Sequence, residues 1–304
     1  WFQAKLLSKY SSMVALFAYL IISGYKIFLL ATGKSVYWFA VSNALDYMVI
    51  AIGLTFVYRR MGGARLRFST ETAKNLLKKS RYYIIPDMMV AIFAQTDRIM
   101  LKLMIDDAAT GYYSAAVACA GMTAFVFSAV IDSFRPMIFD DKKNNEEQYE
   151  KDVCRLYSII IYLSLLQSVF ITTFAGLIIR ILYGVDYAPS VSALRLIVWY
   201  TTFSYVGSVR NIWILAESKQ KYLWVINLTG AAANVVLNYF LIPVMGIMGA
   251  ALASLITQIF TNVIIGFIIK PIRYNNRLMI KALNPADCVK AVKVLLAKRK
   301  QTGH

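Results

Sequence analysis

Histidine is almost absent from this chain: the single one is the last residue, His304. No histidine-based acid–base or metal chemistry is therefore available to the body of the protein. Cysteine is scarce too, and Cys119, Cys154 and Cys288 show no metal-ligand spacing, which removes a zinc site and a disulfide framework. Acidic residues number 16 against 33 Lys and Arg. Catalytic residues, metals and cofactors are not expected, and an enzyme is not the expected class.

What the chain has in excess is apolar residues, 59% of the total, with a mean hydropathy of +0.57. They gather into eight stretches: Tyr10–Leu30, Val36–Tyr58, Tyr82–Ile105, Gly111–Phe134, Leu156–Ile179, Ser190–Leu215, Tyr222–Pro243 and Ile247–Ile269. At a rise of about 1.5 Å per residue, each is long enough to cross a hydrocarbon core of roughly 30 Å. Every second linker is rich in Lys and Arg, as at Arg59 to Arg81 and Arg135 to Arg155, whereas the opposite set holds only Lys34 and Arg180. Cytoplasmic loops carry such an excess, so the pattern predicts an all-α, polytopic transmembrane bundle with both ends of this chain in the cytoplasm. The net charge of +17 sits mostly beside the spans, where it faces anionic membrane lipid rather than nucleic acid.

Four segments are expected. Residues 1–58 hold two spans, 59–81 form a basic cytoplasmic linker, 82–270 hold six spans, and 271–304 form a basic tail. In the linker, Ser69 or Thr70 is placed to cap a surface helix through Lys79. In the tail, Asn284 and Pro285 open a basic amphipathic helix lying on the inner leaflet. Trp1 to Lys9 reads as the exit of a preceding helix, so the chain is expected to be a piece of a longer protein, or the product of a gene missing its start.

Ionisable groups inside spans are costly and mark cavities or partners. Asp87, Arg98 and Lys102 share one helical face, flanked by Gln95 and Asp97. Ser42, Asn43 and Asp46 cluster in the second span; Asn227, Asn234 and Asn238 form a stripe in the seventh, and Ser254, Gln258 and Thr261 another in the eighth. Lys26, Arg98, Lys102, Arg195 and Arg210 are the basic groups. Lys26, Lys102 and Arg195 are short reaches from an interface and are open to snorkelling; the Asn stripe is open to holding helices together. A cavity lined by several of the basic groups would attract an anionic, hydrophilic cargo.

The run Leu182-Tyr183-Gly184 … Tyr187-Ala188-Pro189, followed by Asn227 … Gly230 … Asn234 … Leu237-Asn238 … Leu241-Ile242-Pro243 … Gly246-Ile247-Met248-Gly249-Ala250-Ala251, resembles the C-terminal half of the polysaccharide transporters. These are lipid-linked oligosaccharide flippases of the MOP exporter superfamily. Trp1-Phe2-Gln3 with Ser8-Lys9-Tyr10, Pro86 with Asp97-Arg98, and Gly111-Tyr112-Tyr113-Ser114-Ala115-Ala116 agree with it. The resemblance implies a two-lobe flippase fold of which this chain holds the last two N-lobe helices and the six-helix C-lobe, the first four helices being absent. It also implies flipping of an undecaprenyl-pyrophosphate-linked oligosaccharide from inner to outer leaflet of the bacterial inner membrane, for surface polysaccharide such as O-antigen. Coupling to an H+ or Na+ gradient would follow.

On that reading Arg98 and Arg210 contact cargo phosphate, with Lys102, Arg195 and Lys26 as further cargo-binding groups. Asp46, Asp97 and Asp87 are the candidates for ion coupling. Asp97 adjoins Arg98 and is expected to stay ionised as its partner, which leaves Asp46 the better carboxylate for gaining and losing a cation. Two other readings compete. A MATE-like cation-coupled exporter would share the fold but want an acidic lumen. A membrane polysaccharide polymerase would want a sizeable outer loop or an acidic catalytic domain.

Overall fold

Capping side chains and glycines set several helix ends in the computed structural model of this chain. It describes residues 8–63 and 69–284, with side chains described for all of these except residue 8 and residues 78–94. The chain divides into two compact units, Trp1–Lys79 and Ser80–His304. The described residues are helical throughout, without a strand, and form an all-α bundle.

In the first unit α1 (Ser8–Ala31) and α2 (Val36–Arg60) form an antiparallel pair, turned at Gly33, whose φ of 61° only glycine adopts freely. They meet where Gly53 leaves room: a Cβ there would lie 2.6 Å from Val14 Cγ1. Their other faces are apolar and open, as at Leu20, Ile27, Ile52 and Phe56, which is how a helix facing lipid reads.

Helix α3 (Thr70–Met104) begins on Ser69, whose Oγ accepts from the amide of Thr72 at 3.3 Å. The linker helix and the third span were expected as separate elements; the backbone runs through both as one helix, because no Gly interrupts the run from Thr70 and Pro86 alone does not end it. The remaining elements are α4 (Asp107–Gly121), α5 (Ala124–Asn144), α6 (Glu146–Tyr183), α7 (Ser190–Ala216), α8 (Lys221–Met245), α9 (Ile247–Ile259), α10 (Ile265–Ile268) and α11 (Arg273–Lys281). Asp106 caps α4 by accepting from Ala109 at 2.6 Å, and Asn145 caps α6 by accepting from Gln148 at 3.1 Å. Gly246, at φ 55°, turns the chain between α8 and α9. Pro243 lies inside the last helical turn of α8, just before the turn at Gly246. The tail helix expected after Asn284 lies outside the described residues.

Among the described residues, five helices are long and apolar enough to cross a membrane: α1, α2, α6, α8 and α9 continued to Ile268. The fourth expected span is broken into α4 and α5, bent by 44°, and makes a sixth if counted as one. The other two expected spans, in α3 and α7, have 35 and 27 residues and ample length. Charged and amide residues interrupt both, Asp97, Arg98 and Lys102 on α3 and Arg195, Arg210 and Asn211 on α7.

Two apolar clusters hold the second unit. One joins α5, α6, α7 and α11 around Trp213, Tyr157 and Phe134; the other joins α4, α6, α7, α8 and α9 around Leu194, Ile179 and Ala251. In lipid, helices associate through close van der Waals packing rather than apolar burial, so small residues do the most. Gly249 is such a point against backbone: a Cβ there would lie 2.2 Å from the Leu241 carbonyl oxygen.

Candidate functional site

A polar cavity of about 330 Å³ opens inside the second unit, between α7, α8 and α9, with Asp97 of α3 in its wall. Its polarity follows from three helical stripes. Ser204, Ser208 and Asn211 recur every three or four residues on α7; Asn227 and Asn234 lie two turns apart on α8; Ser254, Gln258 and Thr261 do the same on α9.

At one end lies Asp97. Its Oδ1 accepts from Asn238 Nδ2 at 2.6 Å, and its Oδ2 from Ser254 Oγ at 2.5 Å and Tyr113 OH at 2.6 Å. Asn234 closes the ring, accepting from Asn238 Nδ2 at 3.1 Å and donating to Ser254 Oγ at 3.3 Å. Four helices thus converge on one carboxylate. Charge-assisted hydrogen bonds contribute roughly 1.5–3 kcal/mol each, so three of them hold Asp97 firmly. The expected partnership with Arg98 is not formed: Arg98 Nη1 donates instead to Gln95 Oε1 at 2.5 Å, and its Nε is buried without a partner. Adjacent residues on a helix point about 100° apart, which separates the two groups.

The other end holds Arg210, only 3% exposed. Its Nη1 donates to the Thr261 carbonyl at 2.5 Å and its Nη2 to Asn211 Oδ1 at 3.0 Å, while its Nε is buried without a partner. The Thr261 carbonyl is offered by a wide π turn, Phe260–Ile264, which interrupts the regular ladder between α9 and α10. Another carbonyl of this turn, that of Val263, accepts from Asn276 Nδ2 at 2.7 Å. Gly207 of α7 presses on the same turn, where a Cβ would lie 2.2 Å from Asn262 Oδ1. Residues 254 and 261, which touch Asp97 and Arg210 respectively, are two turns apart, a rise of about 10 Å. At an effective dielectric near 20 that separation leaves an attraction of only ~2 kcal/mol. Desolvating a guanidinium costs several kcal/mol, so Asp97 does not balance Arg210.

Neither Lys102 nor Arg195 lines the cavity. Lys102 pairs with Asp107 at 2.9 Å, an exposed bridge (side chains 64% and 81% exposed) of the kind that adds about 0–1 kcal/mol. Arg195 is exposed. In the first unit Lys26 Nζ donates to Asn43 Oδ1 at 3.5 Å, and Asp46 is half-buried with Oδ1 lacking a partner. The side chain of Asp87 lies outside the described residues. Tyr113, Tyr200, Ser204, Ser208, Asn211 and Asn262 belong to the site and were missed. The Ser204–Ser208–Asn211 spacing was a readable signal for three of them.

Beyond the cavity, a charged cluster ties the basic ends of the helices. Lys142 bridges Glu217 at 2.6 Å and Glu146 at 2.8 Å; Tyr149 OH donates to Glu217 at 3.2 Å, and Lys219 lies 3.3 Å from Glu217. Partial burial pushes the Glu217 carboxyl up, but the bonds from Lys142 and Lys219 outweigh it and hold it below its ordinary value. Tyr274 donates to Glu150, and that bond, then partial burial, pushes its hydroxyl up to about 12.

A profile of the family described as "Polysaccharide biosynthesis protein" matches residues 2–192. The chain belongs to that family, and its apolar helices make it a multi-pass membrane protein. It is also similar to a protein of Methanocaldococcus jannaschii described as an uncharacterized membrane protein, at 25% identity over 240 residues. The match covers 72% of this chain and 46% of the relative, so the chain spans about half the length of the curated relative it matches. No solved structure matches the chain.

Proposed function

We propose that the protein is a transporter, not an enzyme, that flips an undecaprenyl-pyrophosphate-linked oligosaccharide from the inner to the outer leaflet of the bacterial inner membrane. In this reading it is a flippase of the MOP superfamily serving surface glycan such as O-antigen, and it runs on an H+ or Na+ gradient. The observation that carries the reading is the hydrogen-bonded Asp97 where α3, α4, α8 and α9 meet, inside a membrane protein of a polysaccharide biosynthesis family. A proton or cation arriving at Asp97 must break or re-aim donors on three other helices. Occupancy there is thereby linked to how the helices pack, which is what coupling requires.

Cargo phosphate falls to basic groups with free donors, Arg98 first, with Lys102, Arg195 and Lys26 as further contacts. The Lys-rich linkers face the cytoplasmic leaflet, in contact with anionic lipid, and both ends of this chain are cytoplasmic. A cysteine placed at Asp186 is then labelled from outside intact cells by an impermeant reagent, and one at Gln220 is not.

The deciding experiment reconstitutes the full-length protein in vesicles with a fluorescent lipid-linked oligosaccharide and an imposed pH or sodium gradient. Gradient-dependent movement between leaflets is the expected result. Flux of a cationic dye instead would favour an organic-cation exporter. Growth of the glycan chain without movement would favour a polymerase.

A further inference from the structure

We propose that the Arg210 end of the cavity binds one small monovalent anion of chloride size, separate from any cargo phosphate. Arg210 carries five N–H donors, of which the Thr261 carbonyl and Asn211 take two. Its Nε–H is buried and unpartnered, and the residue is 3% exposed. Among the described residues no carboxylate lies within 4.0 Å of it. A guanidinium does not shed its proton in a protein, so this charge stays and requires a counter-charge. Asp97 is about two helical turns away and already surrounded by its own donors.

The cavity supplies what a halide needs. Ser208, Asn211, Asn227 and Gln258 bring hydroxyl and amide donors to its wall, and among the described residues no second Lys or Arg lines it. That last point selects the ligand: a pyrophosphate brings two or more negative charges against one guanidinium, whereas a monovalent anion balances it. A volume of about 330 Å³ also leaves room for the ion and several waters, each taking about 30 Å³.

The test uses the full-length protein, purified in detergent in potassium gluconate, without cargo or gradient, so that it is independent of the flippase reading. Equilibrium dialysis against radioactive chloride should show one saturable site per chain. Arg210→Gln should weaken that site by roughly tenfold or more through loss of a charge-assisted donor, while Asp97→Asn retains it. In case Arg210→Gln fails to fold, crystals of the unaltered protein grown in bromide should show anomalous scattering within hydrogen-bond distance of Arg210 Nε. The proposal is overturned by absence of saturable chloride binding, by unchanged binding in a folded Arg210→Gln protein, or by a bromide peak elsewhere. It is equally overturned if inorganic pyrophosphate binds the site more tightly than chloride does, which would give Arg210 to the cargo phosphates.

Discussion

Asn238 and Asp97, far apart in the sequence, are joined by a 2.6 Å hydrogen bond inside the membrane-spanning bundle. The bond helps to fix Asp97 at its end of the cavity and changes its expected part. A carboxylate paired with Arg98 would be a structural ion pair; one held by neutral donors on three other helices has no counter-charge among them, and a cation arriving there must displace those donors. Asp97→Asn should leave the protein folded, since an amide preserves shape, and should remove the dependence of transport on the imposed gradient. Asp46→Asn is the matched comparison. If Asp46→Asn alone abolishes gradient dependence in the vesicle assay, coupling belongs to the first unit.

Arg98 has one Nη on Gln95 and a buried Nε with nothing to bind. Arg98→Gln should lower transport by roughly tenfold or more, the scale of a lost charge-assisted bond. Arg98→Lys, which keeps the charge but not the planar fork, should recover only part of it. Equal transport by all three proteins would remove Arg98 from cargo recognition.

Close approach makes a graded series of the glycines. At Gly249 a new Cβ meets a backbone carbonyl at 2.2 Å, which cannot move without shifting α8. Gly249→Ala should cost more than the ~1–3 kcal/mol usual for overpacking. Gly207→Ala meets the far end of the Asn262 side chain and should cost less, and Gly24→Ala, with nothing within 4 Å, should be close to neutral. Thermal unfolding in detergent should give that order.

The charged cluster predicts the pH dependence of stability. Glu217 is held below its ordinary 4.5, so its contribution is present above that pH and fades as pH falls through the lowered value. Glu217→Gln should flatten the acid limb of the stability profile and cost about 1 kcal/mol at neutral pH. Tyr274 is raised from 10.0 to about 12, so its bond to Glu150 contributes fully below pH 10 and is lost as pH climbs through 12. Tyr274→Phe should remove that alkaline loss. An unchanged profile in either variant would separate these contacts from stability.

The sequence carried the class of fold in its charge alternation, and it carried part of the site in its stripes, since a period near 3.6 displays one face at a time. Asn227, Asn234, Ser254, Gln258 and Thr261 were legible for that reason. The partners of Asp97 were not. Tyr113, Asn238 and Ser254 come from three different helices, and a single sequence holds no record of which stripes face one another. Arg98, being adjacent, was the natural but wrong partner. The break between α4 and α5 and the π turn between α9 and α10 were equally hidden. Met122-Thr123 and Phe260–Ile264 contain neither proline nor glycine, and only tertiary partners such as Arg210 and Asn276 make an irregular turn worthwhile there.

The π turn also bears on which length changes this protein tolerates. A turn of that kind holds one residue beyond what a regular helix of equal rise contains. Almost any single-residue deletion in a membrane helix rotates everything after it by about 100° and turns lipid-facing groups inward. A deletion within Phe260–Ile264 is the exception: it returns the turn to ordinary geometry and leaves both flanks in phase, Ser254 still toward Asp97 and Gly266 still against Asn276. What it takes away is the spare Thr261 carbonyl and so one anchor of Arg210. Among naturally diverging copies of this chain, a gap at that turn and loss of the arginine should therefore travel together.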